Sequence, residues 1–371
     1  MKKILFHHNC LEQGGAERVI SNLANQFCKE GYEVIVATEW QGEKEFELNT
    51  KVRRIHVGLD ERQDNKSRFF KAYIRVVNLR RLIKAEKPDV AIGFTRKPIY
   101  RLLMAVKGVR VPTIIAVRTN PVGYYDSFID KVCRVFLLPR ADGAVFQTEG
   151  QKAFFPDKLQ KKSTIILNPI NDKFLHASAC ALKEKCIVHS GRLDKYKNQP
   201  LLVSAFIKFH EKHPDYCLKI YGPDSGDGTK QKLESMIYDN NACEYIKLMG
   251  GCDELETVLP RGEVYAFSSD CEGLPNALLE AMCLGMPIVS TDCPCGGPRT
   301  VITDEVSGLL VPVGDEKAMS EALCKMVENP AMEKSMGDNA RKISDRLTVE
   351  AISNQWKDYM LDVIKKSSAG R

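Results

Sequence analysis

The segment CIVHSGRLDKYKN, residues 186–198, is a strand-like apolar run followed by a glycine-containing loop that leads into a helical stretch. Apolar runs of this kind recur along the 371 residues and alternate with amphipathic helical stretches. Short buried strands that alternate with helices are typical of parallel sheets covered on both faces. The sequence therefore predicts an α/β protein.

The alternation occurs in two series. The first series of predicted strands comprises Ile4–His8, Val34–Thr38, Val52–Val57, Val90–Phe94, Thr113–Arg118, Gly143–Gln147 and Thr164–Leu167. The second comprises Cys186–Ser190, Tyr216–Tyr221, Tyr245–Leu248, Val264–Ser268, Pro287–Ser290 and Leu309–Val311. Predicted helices include Ala16–Lys29, Ser67–Glu86, Asp126–Leu138, Glu316–Glu328, Met332–Leu347 and Val349–Lys366. We predict two Rossmann-like domains, residues 1–175 and 176–348, with a last helix in residues 349–371 that crosses back to the first domain.

Charge is divided between the two halves of the chain. Residues 1–180 contain 31 Lys and Arg against 19 Asp and Glu, while residues 181–371 contain 23 against 29. A basic half (+12) and an acidic half (−6) indicate domains that meet different partners. Composition is globular, with 44% hydrophobic and 27% charged residues, which excludes a disordered or fibrous chain.

Cysteine usage and hydropathy indicate a cytoplasmic protein. The 13 cysteines are scattered without a disulfide pattern, and the one close pair, Cys293 and Cys295, lacks a second pair at zinc spacing. The first residues do not form a secretory signal, and no run approaches the roughly 18 apolar residues of a membrane span.

Three loops at the ends of predicted strands contain the residues expected to bind ligands, because ligands of open α/β sheets bind at the carboxyl ends of the strands. The first loop contains Gly14 and Gly15, whose backbone amides can approach an anion at a helix start. The alternative is a simple tight turn, and the third glycine of a dinucleotide fingerprint is absent.

The second loop contains Arg192 and Lys197, which can both reach over a helix start, as a diphosphate requires. The alternative is a pair of solvated charges. The third loop, SSDCEGLPNALLEAM at residues 268–282, contains Glu272 before a helix and Glu280 within an apolar helical run. A carboxylate in such a run is expected to meet a polar ligand group; the alternative is exposure on the helix surface.

These motifs together resemble family 4 glycosyltransferases, which are retaining enzymes of the GT-B fold, in which two Rossmann-like domains face each other across a cleft. The resemblance extends over essentially the whole chain. Its most specific part is Glu272, seven intervening residues and Glu280. It implies a nucleotide-sugar donor, a UDP-sugar by expectation, bound by the second domain and an acceptor bound by the first.

The resemblance also implies individual roles. Arg192 and Lys197 would hold the donor diphosphate, Glu280 the ribose hydroxyls, and Glu272 the transferred sugar. Gly15 and the backbone around Gly273, Leu274 and Asn276 would add donor contacts, with Gly14 on the acceptor side. No metal or other cofactor is implied, in line with the absence of an Asp-x-Asp triplet from the sequence.

One position departs from the family pattern. Many relatives have a His after a middle strand of the first domain, where this chain has Arg118-Thr119-Asn120. Arg118, as a catalytic residue, and Asn120 are the candidates for that corner, since an Arg can stabilise negative charge on phosphate or acceptor. His7 and His8 are weaker substitutes. This version of the family resembles members that build surface polysaccharides or lipid-linked oligosaccharides.

A basic block between Lys51 and Arg110 contains 17 Lys and Arg against 5 Asp and Glu. Within it, the predicted second helix combines apolar and basic positions, which favours contact with an anionic membrane surface. The candidates for membrane contact are Phe69, Phe70, Lys71, Arg75, Arg80 and Arg81. The alternative is an ordinary core-facing helix; nucleic acid is not expected, because no recognition motif accompanies the charge.

The function predicted from the sequence is a metal-independent, retaining glycosyltransferase. It would transfer a hexose or N-acetylhexosamine to a saccharide, expected to be linked to a polyprenyl diphosphate, at the cytoplasmic face of a membrane. Two alternatives remain open: another GT-B enzyme of nucleotide sugars, such as an epimerase or a phosphorylase, or a non-catalytic binding component of an assembly complex.

Overall fold

A computed structural model of the chain describes residues 1–12, 14–60, 63, 65, 67–177 and 183–369. The chain forms two compact units. The first contains Met1–Pro169 and Val349–Arg371, and the second contains Ile170–Thr348. The predicted linker near residues 170–185 belongs to the second unit, and residues 178–182 lie outside the described residues.

The first unit contains a parallel seven-stranded sheet with the order β3-β2-β1-β4-β5-β6-β7. Its strands are β1 (Lys3–His8), β2 (Glu33–Thr38), β3 (Arg53–His56), β4 (Val90–Phe94), β5 (Thr113–Ala116), β6 (Gly143–Phe146) and β7 (Ser163–Ile165). Its helices are α1 (Gly15–Lys29), α2 (Arg68–Glu86), α3 (Arg96–Ala105), α4 (Phe128–Phe136), α5 (Glu149–Ala153), α6 (Asp157–Gln160) and α15 (Val349–Ala369).

The second unit contains a parallel six-stranded sheet with the order β10-β9-β8-β11-β12-β13. Its strands are β8 (Glu184–Ser190), β9 (Cys217–Tyr221), β10 (Ile246–Gly250), β11 (Gly262–Phe267), β12 (Ile288–Thr291) and β13 (Leu309–Val311). Its helices are α7 (Asp172–Leu175), α8 (Gln199–His210), α9 (Thr229–Asp239), α10 (Leu255–Val258), α11 (Asn276–Cys283), α12 (Gly297–Val301), α13 (Glu316–Val327) and α14 (Pro330–Arg341).

The predicted α/β class with two Rossmann-like sheets is confirmed. Central strands such as β4 are buried along their whole length, which is why they are apolar without alternation. Among the predicted helices, α14 differs most from its predicted bounds of Met332–Leu347, since it starts at Pro330 and ends at Arg341. The Asn329 side chain accepts from the Met332 amide at 3.1 Å, and Pro330 occupies the first turn, where proline is favoured.

Short polar side chains at the helix starts fix the loops that follow the strands. They accept backbone N–H groups that would otherwise lack partners. The caps are Ser67 of α2, Ser127 of α4, Thr148 of α5, Asn171 of α7, Asn198 of α8, Asp315 of α13 and Asn329 of α14.

The last helix, α15, packs on the sheet of the first unit, although it follows the second unit in the chain. Trp356 is fully buried and stacks on Phe94 with a centroid distance of 5.8 Å. The Tyr359 hydroxyl accepts from the Ala144 amide of β6 at 2.8 Å. Aromatic burial and a sheet-edge hydrogen bond together fix α15 to this unit.

Candidate functional site

The loop between β8 and α8 is held by the backbone on both sides. At its start, the Gly191 amide donates to the Tyr221 carbonyl at 2.9 Å. A Cβ added at Gly222 would lie 1.9 Å from the Gly191 carbonyl oxygen, so this close approach requires glycine. At its end, the Asn198 side chain accepts from the Leu201 amide at 3.2 Å. The loop therefore presents its side chains from a fixed backbone.

Lys197 and Glu272 form an ion pair at the carboxyl edge of the second sheet. The Lys197 Nζ lies 2.5 Å from the Glu272 Oε1, and each side chain is 18% exposed. Ser269 Oγ donates to the same carboxylate oxygen at 3.2 Å. The two residues are 75 positions apart, and they meet because β8 and β11 are neighbours in the sheet. The sequence predicts both residues for the donor site, but it does not predict this pairing.

Arg192 lies on the solvent side of the same loop. Its side chain is 65% exposed, and its Nε lies 3.3 Å from the Asp194 Oδ2. The other oxygen of Asp194 accepts from the amides of Tyr196 at 2.9 Å and Lys197 at 3.1 Å. Asp194 thus fixes the turn that presents Lys197. The sequence signal for this turn is an Asp that lies two residues before Tyr196 and three before Lys197 and accepts hydrogen bonds from both amides, as in Asx turns.

Glu280 is buried on α11, as the apolar run around it implies, with 5% of its surface exposed. Its charge contributes to a raised pKa of the buried Tyr265, for which burial itself is the main cause. The Tyr265 hydroxyl donates to the Ser190 carbonyl at 3.1 Å, so Glu280 acts electrostatically on the end of β8. A carboxylate here is positioned to accept hydroxyl groups of a ligand bound along this edge.

The loop before α11 is fixed by the following loop. A Cβ at Gly297 would lie 2.1 Å from the Gly273 carbonyl oxygen, so Gly297 allows the loops after β11 and β12 to touch. Leu274 is buried, and Pro275 occupies the cap position just before the first helical residue, Asn276. Because Pro275 has no N–H, the donors at this helix start come from its neighbours.

His189, which was not predicted from the sequence, lies beneath the donor loop. It is fully buried, and its Nδ1 lies 2.9 Å from the Ala266 carbonyl oxygen of β11. Burial and, to a smaller extent, the nearby Lys197 charge lower its pKa to about 4. A neutral imidazole therefore supports the loop without adding to its charge.

The β1–α1 turn of the first unit holds an imidazole and a carboxylate. Burial lowers the pKa of His8 to about 4, and its Nε2 lies 3.5 Å from Glu17 Oε1 and 3.2 Å from Thr95 Oγ1. Gly14 caps α1, and Gly15 is the first helical residue. Gln13, within the same predicted motif, lies outside the described residues. Glu17 was missed because a Glu in a first helical turn is common without a ligand.

Thr95 has a strained backbone at the carboxyl end of β4. Its φ is 60°, which is rare for a β-branched residue. Conformations of this kind cost on the order of 1–3 kcal/mol and cluster at functional sites. The strain directs the Thr95 hydroxyl towards His8, so the ends of β1 and β4 form one polar cluster.

Arg118 lies two residues beyond the end of β5. Its Nη1 donates to the Ile166 carbonyl at 3.3 Å and to Asn168 Oδ1 at 3.1 Å. The guanidinium carbon lies 5.6 Å from the centre of the Phe94 ring and 5.3 Å from that of the Trp356 ring. Burial lowers its pKa to about 9. Its Nε and Nη2 are buried without a hydrogen-bond partner among the described residues, so these contacts satisfy only part of the guanidinium, and the catalytic role of Arg118 stays a prediction.

Asn120 and His7 also serve local structure. Asn120 is buried, and its Oδ1 accepts from the Val122 amide at 2.9 Å, which closes a turn after β5. His7 Nδ1 lies 3.1 Å from the Ala37 carbonyl oxygen, and His7 Nε2 lies 3.5 Å from the buried Glu39. The His7 Nε2 is buried without a hydrogen-bond partner among the described residues.

Two basic residues predicted to contact a membrane are used inside the first unit. Arg75 Nε lies 3.2 Å from Glu39 Oε2. Arg80 Nη1 donates to the carbonyls of Ala105 at 2.7 Å and Lys107 at 2.6 Å, at the end of α3. These contacts hold both guanidinium groups at the first unit, and their contact with a membrane stays a prediction.

The start of α2 does present apolar side chains to solvent. The exposed ones are Phe69, Phe70 and Tyr73, and Phe69 has 84% of its surface exposed. Arg81 is exposed as well, and Lys71 is partly buried. Farther along, Leu79 and Ile83 face the core. The helix therefore changes from a solvent-facing start to a buried end.

The cations that could neutralise a diphosphate are Arg192 and Lys197, both on the β8–α8 loop. A separate trio of possible metal ligands, His213, Cys324 and Glu328, has its ligand atoms within 4.8 Å of one another. The trio lies where α13 meets the segment after α8, away from this loop.

Among the described residues, no helix is both long and apolar enough to span a bilayer.

Two Rossmann-like units, with a cationic loop and the carboxylates Glu272 and Glu280 after β11 of the second, define a glycosyltransferase of the GT-B class. The chain belongs to the family 4 glycosyltransferases: residues 13–174 match the family model described as Glycosyltransferase Family 4, and residues 172–343 match that of Glycosyl transferases group 1. The predicted family and enzyme class are confirmed.

Curated relatives span nearly the whole chain. A protein of Haemophilus influenzae named an uncharacterized glycosyltransferase is 24% identical over 97% of this chain and 100% of its own. An α-1,4-N-acetylgalactosaminyltransferase of Campylobacter jejuni, named for an undecaprenyl diphosphate-linked saccharide, is 25% identical over 98% and 99%. A second such enzyme from the same organism is 28% identical over 79% and 82%.

Solved structures share the fold. HepE of Anabaena, crystallised with UDP, superposes with a TM-score of 0.83 at 16% identity, over 98% of this chain and all of HepE. Sucrose-phosphate synthase of Thermosynechococcus elongatus gives the same TM-score and identity over 99% and 100%. At this identity the likeness establishes a common fold.

Proposed function

We propose that this glycosyltransferase transfers a hexose or N-acetylhexosamine from a UDP-sugar, with retention of configuration, to a saccharide carried on a polyprenyl diphosphate. Its product would be an extended glycan for a surface polysaccharide or a related polymer. Transfer would take place at the cytoplasmic face of a membrane, to which the protein binds peripherally. The names of the two Campylobacter jejuni relatives support the acceptor class, and HepE with UDP supports the nucleotide.

The observation that carries the proposal is the 2.5 Å pair between Lys197 and Glu272. A bound diphosphate would compete with Glu272 for the Lys197 ammonium, and Arg192 would approach the same anion from the solvent side. Glu272 would then be able to accept hydroxyl groups of the transferred sugar. The loop thus couples binding of the phosphate to release of a carboxylate for the sugar.

The same residues would stabilise the leaving group. As the bond between the sugar and the diphosphate breaks, negative charge grows on the phosphate next to Lys197. Fixed positive groups in a partly buried site stabilise such charge without reorganisation during the reaction. Glu280 would orient the nucleotide by accepting its ribose hydroxyls, so that the reacting bond lies at the loop. In this proposal the donor site stabilises the charge of the leaving group and orients the donor. No step of the proposed reaction is assigned to a metal.

The donor can be identified by thermal unfolding with UDP, GDP, UMP and UDP-sugars. A ligand present at 100 times its Kd adds about 2.7 kcal/mol to stability. We expect a large stabilisation by UDP and a smaller one by UMP, because UMP lacks the second phosphate. Equal stabilisation by UDP and UMP would argue against the diphosphate role of the loop.

The reaction is tested with a UDP-sugar panel and a polyprenyl diphosphate-linked saccharide, with product mass and anomeric configuration as the readouts. We expect transfer only when both substrates are present, with an α linkage from an α-linked donor. A parallel incubation without acceptor serves as the control. Donor epimerised in that control would instead favour a nucleotide-sugar epimerase, and sugar phosphate formed with inorganic phosphate would favour a phosphorylase.

A further inference from the structure

Helix α4 presents its apolar side chains to solvent. The exposed residues are Phe128, Ile129, Val132, Val135 and Phe136. Their spacing of one, four, seven and eight positions from the first places them on one face of the helix. Phe128 is 82% exposed and Phe136 67% exposed. A contiguous apolar face of this kind on a protein surface marks an interaction site.

The opposite face of α4 is fixed to its unit by polar contacts. Asp130 is buried, and its carboxylate lies 2.8 Å from Arg96 Nη1, 3.0 Å from the Tyr100 hydroxyl and 2.6 Å from Ser127 Oγ. Cys133 and Leu137 pack against the neighbouring core on the same side. Turning the helix inward would break this network, so the outward direction of the apolar face is specified by the sequence.

The exposed start of α2 lies on the same side of the sheet as α4. The chain passes from β3 to β4, β5 and β6 in one direction across the sheet. Right-handed crossovers therefore place α2, α3 and α4 on one face, and α1 on the other. The N-terminal ends of α2 and α4 both lie towards the carboxyl edge, because each helix follows the carboxyl end of a strand. Apolar side chains at both starts thus flank the edge where ligands bind.

We propose that the outward face of α4, with the start of α2, docks on an anionic lipid bilayer. Large apolar residues with a cation beside them are typical of helices that lie in a membrane interface, and Lys131 is exposed next to the apolar face. Exposed cations beside these apolar faces, Lys131 on α4 and Arg68 at the start of α2, are complementary to anionic lipid. The same charge opposes docking of a second copy against this surface.

The inference deepens the proposed function and rests on it for the lipid-linked acceptor. It extends the sequence-based expectation, which placed membrane contact on Phe69, Phe70 and basic residues of α2, by adding the face of α4. Arg75 and Arg80 are engaged within the unit, whereas α4 offers apolar area that no described residue covers. Attachment would therefore depend on apolar insertion as well as on charge.

The test is flotation of the full chain with vesicles of about three parts phosphatidylcholine to one part phosphatidylglycerol. We expect the wild type to bind and to retain part of its binding at about 0.5 M NaCl, since apolar contacts are not screened. The double variant Phe128→Ser/Phe136→Ser should bind about 100-fold less tightly, with roughly tenfold lost for each ring. The control Tyr238→Ser removes an exposed aromatic ring of α9 in the second unit and should bind as the wild type does.

The single variant Phe128→Trp provides an independent readout. Its tryptophan emission should shift to shorter wavelength with the vesicles, and brominated lipid should quench it. Vesicle binding of the double variant equal to wild type, or no shift in the emission of the Phe128→Trp variant, would overturn the proposal. So would a lipid-free dimer that the double variant converts to monomer, because the face would then belong to a second copy.

The outcomes separate this inference from the proposed function. Stabilisation by UDP should be the same in wild type and double variant, which also verifies that the variant is folded. Vesicle binding that depends on α4, without transfer to any polyprenyl-linked acceptor, would support docking and refute the acceptor class. Transfer by both proteins, together with equal vesicle binding, would support the function and refute docking through α4.

Discussion

The loops that follow the first strand of each unit are built alike but are charged differently. Both strands contain a buried imidazole near their carboxyl end, His8 in β1 and His189 in β8, and burial lowers the pKa of each to about 4. Each loop then leads through glycine into a helix. Beyond that, the first loop holds the carboxylate Glu17, whereas the second holds Arg192 and Lys197.

This difference runs against the net charge of the two halves. The first half of the chain is basic and its loop is acidic, while the second half is acidic and its loop is cationic. The charge that meets a ligand is set within a few ångströms, because interactions between exposed charges are screened beyond about 10 Å at 0.1 M salt. The loops therefore predict an anionic ligand for the second unit and hydroxyl groups for the first.

The largest effect is expected from Lys197→Ala. Loss of a cation next to the leaving diphosphate should lower kcat/KM by about 100- to 1,000-fold, in the range observed when one stabilising donor is removed from an active site. Steady-state kinetics and UDP binding measure the effect. The matched control is Lys195→Ala, two residues away in the same loop and exposed. Equal losses in the two variants would mean that the loop attracts phosphate only by its general charge.

A smaller effect is expected from Glu280→Gln. If Glu280 accepts the ribose hydroxyls, UDP binding should weaken by about 10- to 100-fold, as for loss of a charged hydrogen bond. The same substitution should change the binding of 2′-deoxy-UDP much less, because that ligand lacks one of the hydroxyls. Calorimetry with both ligands measures the difference. An equal loss for both would show that Glu280 supports the fold of α11 without contacting the ribose.

The positions of the proposed donor-site residues were largely predictable because they lie at strand ends that the sequence marks clearly. Runs such as Cys186–Ser190 and Val264–Ser268 are apolar because both faces of a parallel sheet are covered. The loops after them then identify Lys197 and Glu272 as neighbours at one edge. Their direct pairing was not predictable, since it depends on the order of strands in the sheet, which the linear pattern leaves open.

The surface of the first unit was less predictable. The apolar pattern of α4 is the same whether the helix faces a core or solvent, and only the contacts of Asp130 with Arg96 and Tyr100 decide its direction. In the same way, Arg75 looks like a surface charge in sequence. Its partner Glu39 lies 36 positions earlier, at the end of another strand. Polar contacts between residues far apart in sequence, rather than the periodicity of apolar residues, determine the direction of α4 and the placement of Arg75.

The two buried histidines should make stability depend on pH in both units. Each has a folded-state pKa of about 4, below the ordinary value of 6.5, so the unfolded state binds more protons between these values. Stability should therefore fall as pH falls from about 6.5 to 4, by on the order of 1–2 kcal/mol per histidine between pH 7 and pH 5. Thermal unfolding of His8→Gln and His189→Gln should show a weaker dependence on pH than the wild type.

An exposed residue that does not titrate provides the control for this comparison, and Met249→Gln should leave the dependence on pH unchanged. If only one of the two histidine substitutions weakens the dependence of stability on pH, the two loops do not share a neutral buried imidazole. The histidine whose substitution has no effect would then already be protonated in the folded state of its unit.

The smallest effect is expected from Gly14→Ala. Its φ of −142° suits any residue, but the added Cβ would lie 2.3 Å from Glu17 Oε2 and displace that carboxylate from His8. If the first loop binds acceptor hydroxyls, kcat/KM for the acceptor should fall roughly three- to tenfold, as for one weakened hydrogen bond, while UDP affinity stays constant. Gly251→Ala is the matched control, because its Cβ would approach no atom closer than 3.9 Å. Weaker UDP binding in Gly14→Ala, with the acceptor unaffected, would assign the first loop to the donor, and the contrast in charge between the two loops would no longer separate their ligands.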